Sequence, residues 1–113
     1  MKTLFIIPLV LMSLVSFPSW GLTWDDLFQR NGLFFEPFSD VPFSGKIEGF
    51  IQGRIENGIR EGYWVFYHRT GQLSLKGNYK NGKMEGSWEG YNRDGTVNEE
   101  YTGTFKNDVK VSD

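Results

Sequence analysis

From Gly45 onward the chain alternates. Every second residue reads Ile47, Gly49, Ile51, Gly53 and Ile55, whereas Lys46, Glu48, Gln52, Arg54 and Glu56 fall between them, and Phe50 is the one exception. From Gly71 the apolar series is Leu73, Leu75, Gly77 and Tyr79, opposed by Gln72, Ser74, Lys76, Asn78 and Lys80; from Gly95 it is Val97, Tyr101, Gly103 and Phe105, with Glu99 intervening. A period of two puts one set of side chains on one face, so these runs predict strands with a single buried face. Two shorter strands are expected between them, over 63–68 and 87–92, each carrying a Trp and a Tyr. Asn57-Gly58 and Asn81-Gly82 tolerate the positive φ of tight hairpin turns, and Arg69-Thr70-Gly71 and Arg93-Asp94-Gly95 close the other ends. The expected fold is mainly β: a single antiparallel meander of repeated hairpins with about five strands.

The pattern repeats. Shifting the chain by 24 residues pairs 53–73 with 77–97, and nine of those 21 positions are identical: Gly53/Gly77, Asn57/Asn81, Gly58/Gly82, Glu61/Glu85, Gly62/Gly86, Trp64/Trp88, Tyr67/Tyr91, Arg69/Arg93 and Gly71/Gly95. Composition alone gives about one or two. A partial copy enters at Gly45 and another begins at Gly103, where Phe105 takes the place of Tyr79. Gly45 to Gly53 and Gly95 to Gly103 are two residues longer than Gly71 to Gly77, a difference that leaves every side chain on its original face, so the insertion is expected to be register-neutral. Trp64, Trp88, Tyr79 and Phe105 are therefore expected in the core, with Trp64 and Trp88 stacked on neighbouring rungs and Gly62 and Gly86 as structural positions. Tyr67 and Tyr91 follow the tryptophans by three residues, which places them on the opposite face unless a bulge intervenes.

A sheet with one apolar face needs a cover, and residues 22–44 are suited to supply it. Thr23 followed by Asp26 is a capping-box pattern, Trp24, Leu27 and Phe28 share a helical face, and Asn31-Gly32 is a helix stop, which predicts a helix of about two turns. The aromatic run Leu33, Phe34, Phe35, Phe38, Val41 and Phe43, broken by Pro37 and Pro42, is expected to cap the array. Residues 1–21 read as an export signal: Lys2, an apolar stretch from Leu4 to Phe17, and small residues at Ser19 and Gly21 that predict cleavage after Gly21. An uncleaved anchor is the alternative, since Leu4 to Leu22 approaches bilayer-spanning length.

The unit Gly77-Asn78-Tyr79-Lys80-Asn81-Gly82-Lys83-Met84-Glu85-Gly86-Ser87-Trp88-Glu89-Gly90-Tyr91, closed by Asn92-Arg93-Asp94-Gly95, resembles the bacterial variant of the MORN repeat. The match is close over 53–95 and looser over 45–110. Departures are Ile55 in place of an aromatic, Asp108 in place of the turn glycine, and a last unit that ends before its Trp-bearing strand. The resemblance implies a twisted antiparallel sheet used for protein association, and in some eukaryotic members for contact with phospholipid. An antitoxin-like label attached to some bacterial members fits poorly, because an antitoxin meets its toxin in the cytoplasm and this chain is expected in the periplasm or outside the cell. No catalytic residue belongs to the motif.

Composition narrows the chemistry. With 113 residues the chain fits one domain, and 12 Lys plus Arg against 14 Asp plus Glu leave no positive excess for nucleic acid. Loss of Lys2 with the leader moves the formal charge from −2 to about −3, so membrane contact is not expected after cleavage. The absence of cysteine excludes disulfides and thiolate metal sites, and the single histidine, His68, excludes multi-histidine sites and reads as a turn residue. Glu61 and Glu85 each precede a repeated glycine and read as turn chemistry; Asn92-Arg93-Asp94-Gly95 lacks the later Glu of a calcium loop. The expectation is no catalytic residue, no metal and no cofactor. The leading function is an envelope module that binds another protein, with self-association through a C-terminal edge strand over 97–105 as one route. The alternative is a glycan or cell-wall module in which Tyr63, Tyr67 and Tyr91 offer stacking platforms.

Overall fold

The computed structural model describes residues 21–113, so the export signal expected over 1–21 lies, but for Gly21, outside the described residues. The chain is mainly β and its sheets are antiparallel. A two-stranded sheet pairs β1 (Phe28–Arg30) with β2 (Leu33–Phe35). A seven-stranded sheet follows in chain order: β3 (Gly45–Ile47), β4 (Ile51–Glu56), β5 (Ile59–Tyr67), β6 (Leu73–Lys80), β7 (Lys83–Gly90), β8 (Gly103–Lys106) and β9 (Val109–Ser112). From β4 onward each strand pairs with the one before it.

Nine strands replace the expected five: the β1–β2 hairpin adds two, a reversal at Gly49 adds one and β9 adds one. The run from Gly45 to Glu56 is two strands, because Gly49 at φ +99° reverses the chain and β4 folds back on β3, with Ile47 opposite Gly53. Phe50, the break in the alternation, marks that reversal. The run from Gly95 is likewise not continuous: Asn98 accepts a hydrogen bond from Glu100 N at 3.0 Å and starts a 3₁₀ turn over Glu99–Tyr101. A side chain that bonds its own backbone offers the chain an alternative to the sheet ladder. Val97 and Tyr101 consequently stay 46 and 41% exposed. Finally, the last unit does not halt after its first strand, since β9 occupies the place of the missing Trp-bearing strand.

The two-turn N-terminal helix is absent. Thr23 N and Oγ do bond Asp26 Oδ2, at 2.8 and 3.3 Å, but only a single 3₁₀ turn forms over Trp24–Asp26. Phe28 then enters β1, and Asn31-Gly32 turns a hairpin instead of ending a helix. A short helix has an unfavourable nucleus, and the packing of Trp24 and Leu27 against the core outweighs its capping bonds.

The core lies on one face and explains the repeated residues. Trp64 and Trp88 are fully buried, with Ile47, Ile55, Tyr79, Met84 and Phe105 around them. The two indoles do not meet. Tyr79 stands between them edge-on, its ring 5.9 Å from Trp64 and 5.0 Å from Trp88. Each indole instead lies across a glycine of the preceding strand: a Cβ on Gly53 would run into the Trp64 ring, and one on Gly77 into the Trp88 ring. The ring N–H ends on the next carbonyl, Trp64 Nε1 to Arg54 O at 3.2 Å and Trp88 Nε1 to Asn78 O at 3.1 Å. Gly62 and Gly86 play another part. They hold φ of +76 and +82° in open space, where the strand takes up two extra residues opposite Gly53 and Gly77.

Candidate functional site

Three hairpin turns line up along one side of the seven-stranded sheet. Asn57-Gly58, Asn81-Gly82 and Asn107-Asp108 all have positive φ at both residues, the geometry of a two-residue type I′ turn. Asp108 adopts φ +72° without being glycine, and its carboxylate accepts a bond from Met84 N at 2.6 Å. Every turn is tied to the unit before it. Gly58 N donates to Phe43 O, Gly82 N to Arg60 O and Asp108 N to Met84 O. The repeated glutamates complete the pattern: Glu61 accepts from Asn81 N at 3.0 Å and Glu85 from Asn107 N at 3.3 Å. Both carboxylates are thus engaged in turn chemistry.

The three tyrosines separate. Tyr63 is 55% exposed and lines an open groove of about 720 Å³ together with Lys46, Gln52, Arg54 and Glu61. Phe66 stacks on Trp64, with ring centroids 6.1 Å apart, and packs on the core; the pairing of β5 with β6 shifts register between Phe66 and Tyr67, and Tyr67 is not among the residues packed against that core. Tyr67 is half-buried, beside Phe50 in one recess and beside Arg69 and Arg93 in another. Tyr91 is half-buried as well and donates its hydroxyl to Glu89 Oε1 at 2.9 Å; that acceptor, with its charge, raises the phenol above its ordinary pKa. Tyr79 is raised too, by burial, against the opposing pull of the Arg60 guanidinium 4.3 Å from its ring. The structure does not bring Tyr63, Tyr67 and Tyr91 into one platform.

The remaining polar candidates are occupied locally. His68 Nε2 lies 2.9 Å from Tyr91 O and joins two successive units. Asp94 is held by Thr96 N and Oγ, at 3.0 and 2.6 Å, and these bonds keep its carboxyl below the usual range. Among the described residues no group of three or more His, Asp or Glu is placed to hold a metal ion.

The C-terminal edge differs from the expectation. Thr102 lies inside the array with its hydroxyl bonded to Gly90, and Thr104 pairs with Ser112, so 97–105 is not the edge. The edge is β9, which pairs on one side with β8 and, among the described residues, has no neighbour on the other. Val109 and Val111 are 62 and 58% exposed along it, while Lys110 turns back to Glu99 O at 2.6 Å and Asp113 Oδ1 at 3.0 Å. At the opposite end the chain covers its own edge: Glu48 N donates to Leu22 O at 2.9 Å and Thr23 bridges Glu48 in parallel. A sequence cue to β9 was present in the Val109 and Val111 alternation. Comparison with protein-family models, with curated proteins and with solved structures finds no match to this chain.

Proposed function

We propose that this chain is an exported, non-catalytic interaction module of the bacterial cell envelope, a MORN-like repeat sheet that binds a protein partner by strand addition at β9. The observation that carries the reading is the asymmetry of the edges: the β3 end is bonded by Leu22 and Thr23, whereas β9 offers unpaired backbone groups with Val109 and Val111 beside them. Edge strands are ordinarily blunted by proline, bulges or inward charge. No proline follows Pro42 and the one lysine of β9 is folded back on its own chain; an irregularity at Val111 leaves Val109 and Lys110 as the regular part of the edge. The repeat itself supports the same reading, because Trp64 and Trp88 serve packing, the repeated glycines serve packing or backbone geometry, and Glu61 and Glu85 serve turns, which leaves recognition to edges and outer faces.

The test follows from register. A two-residue turn makes Lys106 and Val109 the hydrogen-bonded pair, so the amide of Lys110 points outward. Lys110→Pro removes that outward donor, and Lys110→Ala controls for the side chain. Affinity capture from envelope extract with the mature protein as bait should recover a partner with wild type and Lys110→Ala and lose it with Lys110→Pro. Equal recovery by all three removes the edge from the function.

The glycan reading has one observation in its favour, the exposed Tyr63 ring in the groove with Lys46, Gln52, Arg54 and Glu61. Binding of wild type but not Tyr63→Ala to isolated cell-wall polysaccharide is the result that would move the assignment to that class.

A further inference from the structure

Arg69 and Arg93 occupy the same place in successive units, on the exposed turns at the end of the sheet away from the Asn-Gly hairpins. The fold brings both to one recess of about 350 Å³, over the half-buried ring of Tyr67. Neither guanidinium is in an ion pair among the described residues, whereas Arg30 and Arg54 each are. Asp94, next to Arg93 in sequence, is bonded to Thr96. Two unneutralised forks on adjacent turns form a receptor for a carboxylate or phosphate, whose oxygens match the planar N–H geometry.

A second, apolar recess of about 280 Å³ adjoins the first through Tyr67. Its other walls are Phe50, 48% exposed, and the backbones of Gly49 and Gly71, which carry no side chain to obstruct a flat ligand. Arg69 lines the first recess and reaches over the Phe50 ring of the second, its guanidinium carbon 5.3 Å from the ring centroid. A charged fork beside an open aromatic face selects a ligand that has a flat apolar side and an anionic substituent at its rim. A sugar ring with an acidic group meets both demands. A polyanionic strand does not, since the mature chain carries a net negative charge and this basic cluster is confined to one turn region.

We propose that Arg69 and Arg93, with the rings of Tyr67 and Phe50, form a binding site for an acidic sugar, the pyranose lying on the aromatic face and its carboxylate or phosphate held by the two guanidinium groups. The site is remote in sequence from β9 and does not depend on strand addition there.

Titration of the ¹⁵N-labelled mature protein with trigalacturonate tests it, with galactotriose as the neutral counterpart. The amides of Phe50, Tyr67, Thr70 and Gly71 should shift with trigalacturonate and not with galactotriose. The Arg69→Ala/Arg93→Ala variant should bind at least about tenfold more weakly. Phe50→Ala, at an exposed position outside the core, should bind several-fold more weakly and keep the proposal testable if the double variant is unstable. Glucose 6-phosphate binding in place of the uronate also supports the site and identifies phosphate as the charge. The proposal is overturned by any of four results: no shifts at tens of millimolar sugar, equal binding of galactotriose, binding unchanged in both variants, or tighter binding of inorganic phosphate or of a hexaglutamate peptide than of the acidic sugars.

Discussion

Gly77 and Gly86 are nine residues apart and both are invariant between the two full units, yet they are glycine for different physical reasons. Gly77 has ordinary φ and no room, because the Trp88 indole lies against its α-carbon; Gly86 has room and a φ of +82°. Gly77→Ala should therefore cost about 1–3 kcal/mol by overpacking, and the cost should shrink when Trp88 is also replaced by Phe. Gly86→Ala should cost about 1–2 kcal/mol from left-handed backbone alone, with no dependence on the residue at 88. Urea denaturation of the singles and doubles separates the two, since only the first pair is coupled. Trp88→Ala sets the scale: loss of a fully buried indole should remove about 3–5 kcal/mol, a large part of the 5–15 kcal/mol typical of a domain. An unchanged urea midpoint for that variant would contradict a packing role. At this scale the sequence was informative, because period two and the 24-residue shift point to Ile47, Ile55, Trp64, Tyr79, Trp88 and Phe105, all of which are buried. It did not reveal that Tyr79 separates the two indoles, since that depends on which strands are neighbours.

At the scale of elements, the turns carry the register. Asn31-Gly32, Asn57-Gly58, Asn81-Gly82 and Asn107-Asp108 all adopt two successive positive φ values, so the N-terminal hairpin uses the same device as the repeats. Read along the sequence, Asn31-Gly32 is equally good as a helix stop, and only the pairing of Phe28 with Phe35 decides between them. Asp108 shows how a non-glycine is retained at the second turn position: its carboxylate takes up Met84 N while its own N–H donates to Met84 O at 3.0 Å. Asp108→Ala keeps the strained φ and orphans Met84 N, for an expected loss of about 1–3 kcal/mol. Asp108→Gly relieves the backbone and should lose less, an order that thermal unfolding of the two variants checks. The reverse order would mean that the φ of +72° at this position carries no strain that glycine relieves.

For the whole molecule, the two ends of the array differ. Residues 22–23 close the first edge and nothing in the described chain closes the last, so the sheet has one open side. Processing bears on the closed side, because Leu22 is both the expected first mature residue and the acceptor for Glu48 N. Mass spectrometry of the exported protein should show Leu22 at the N-terminus; recovery of Met1 in a membrane fraction would identify an anchored protein instead. Among the described residues no helix is long and apolar enough to cross a membrane. A strand count of five missed this arrangement by assigning 97–105 to the edge, one strand short of where it lies.

What the sequence determined by itself was local and periodic: the β class, the buried face, the repeat and its tight turns. These follow from alternation, from Asn-Gly chemistry and from identities at a fixed spacing, each readable within a few residues. The tertiary structure alone decided where runs of good alternation break, at Gly49 and at Asn98, and whether a capped turn becomes a helix or yields to a hairpin, as at Thr23 and Phe28. It also decided that Arg69 and Arg93 share a recess and that β9 forms the rim. Those outcomes depend on which strand lies beside which, and neighbours across a sheet are set by the sum of many pairings that no single segment encodes.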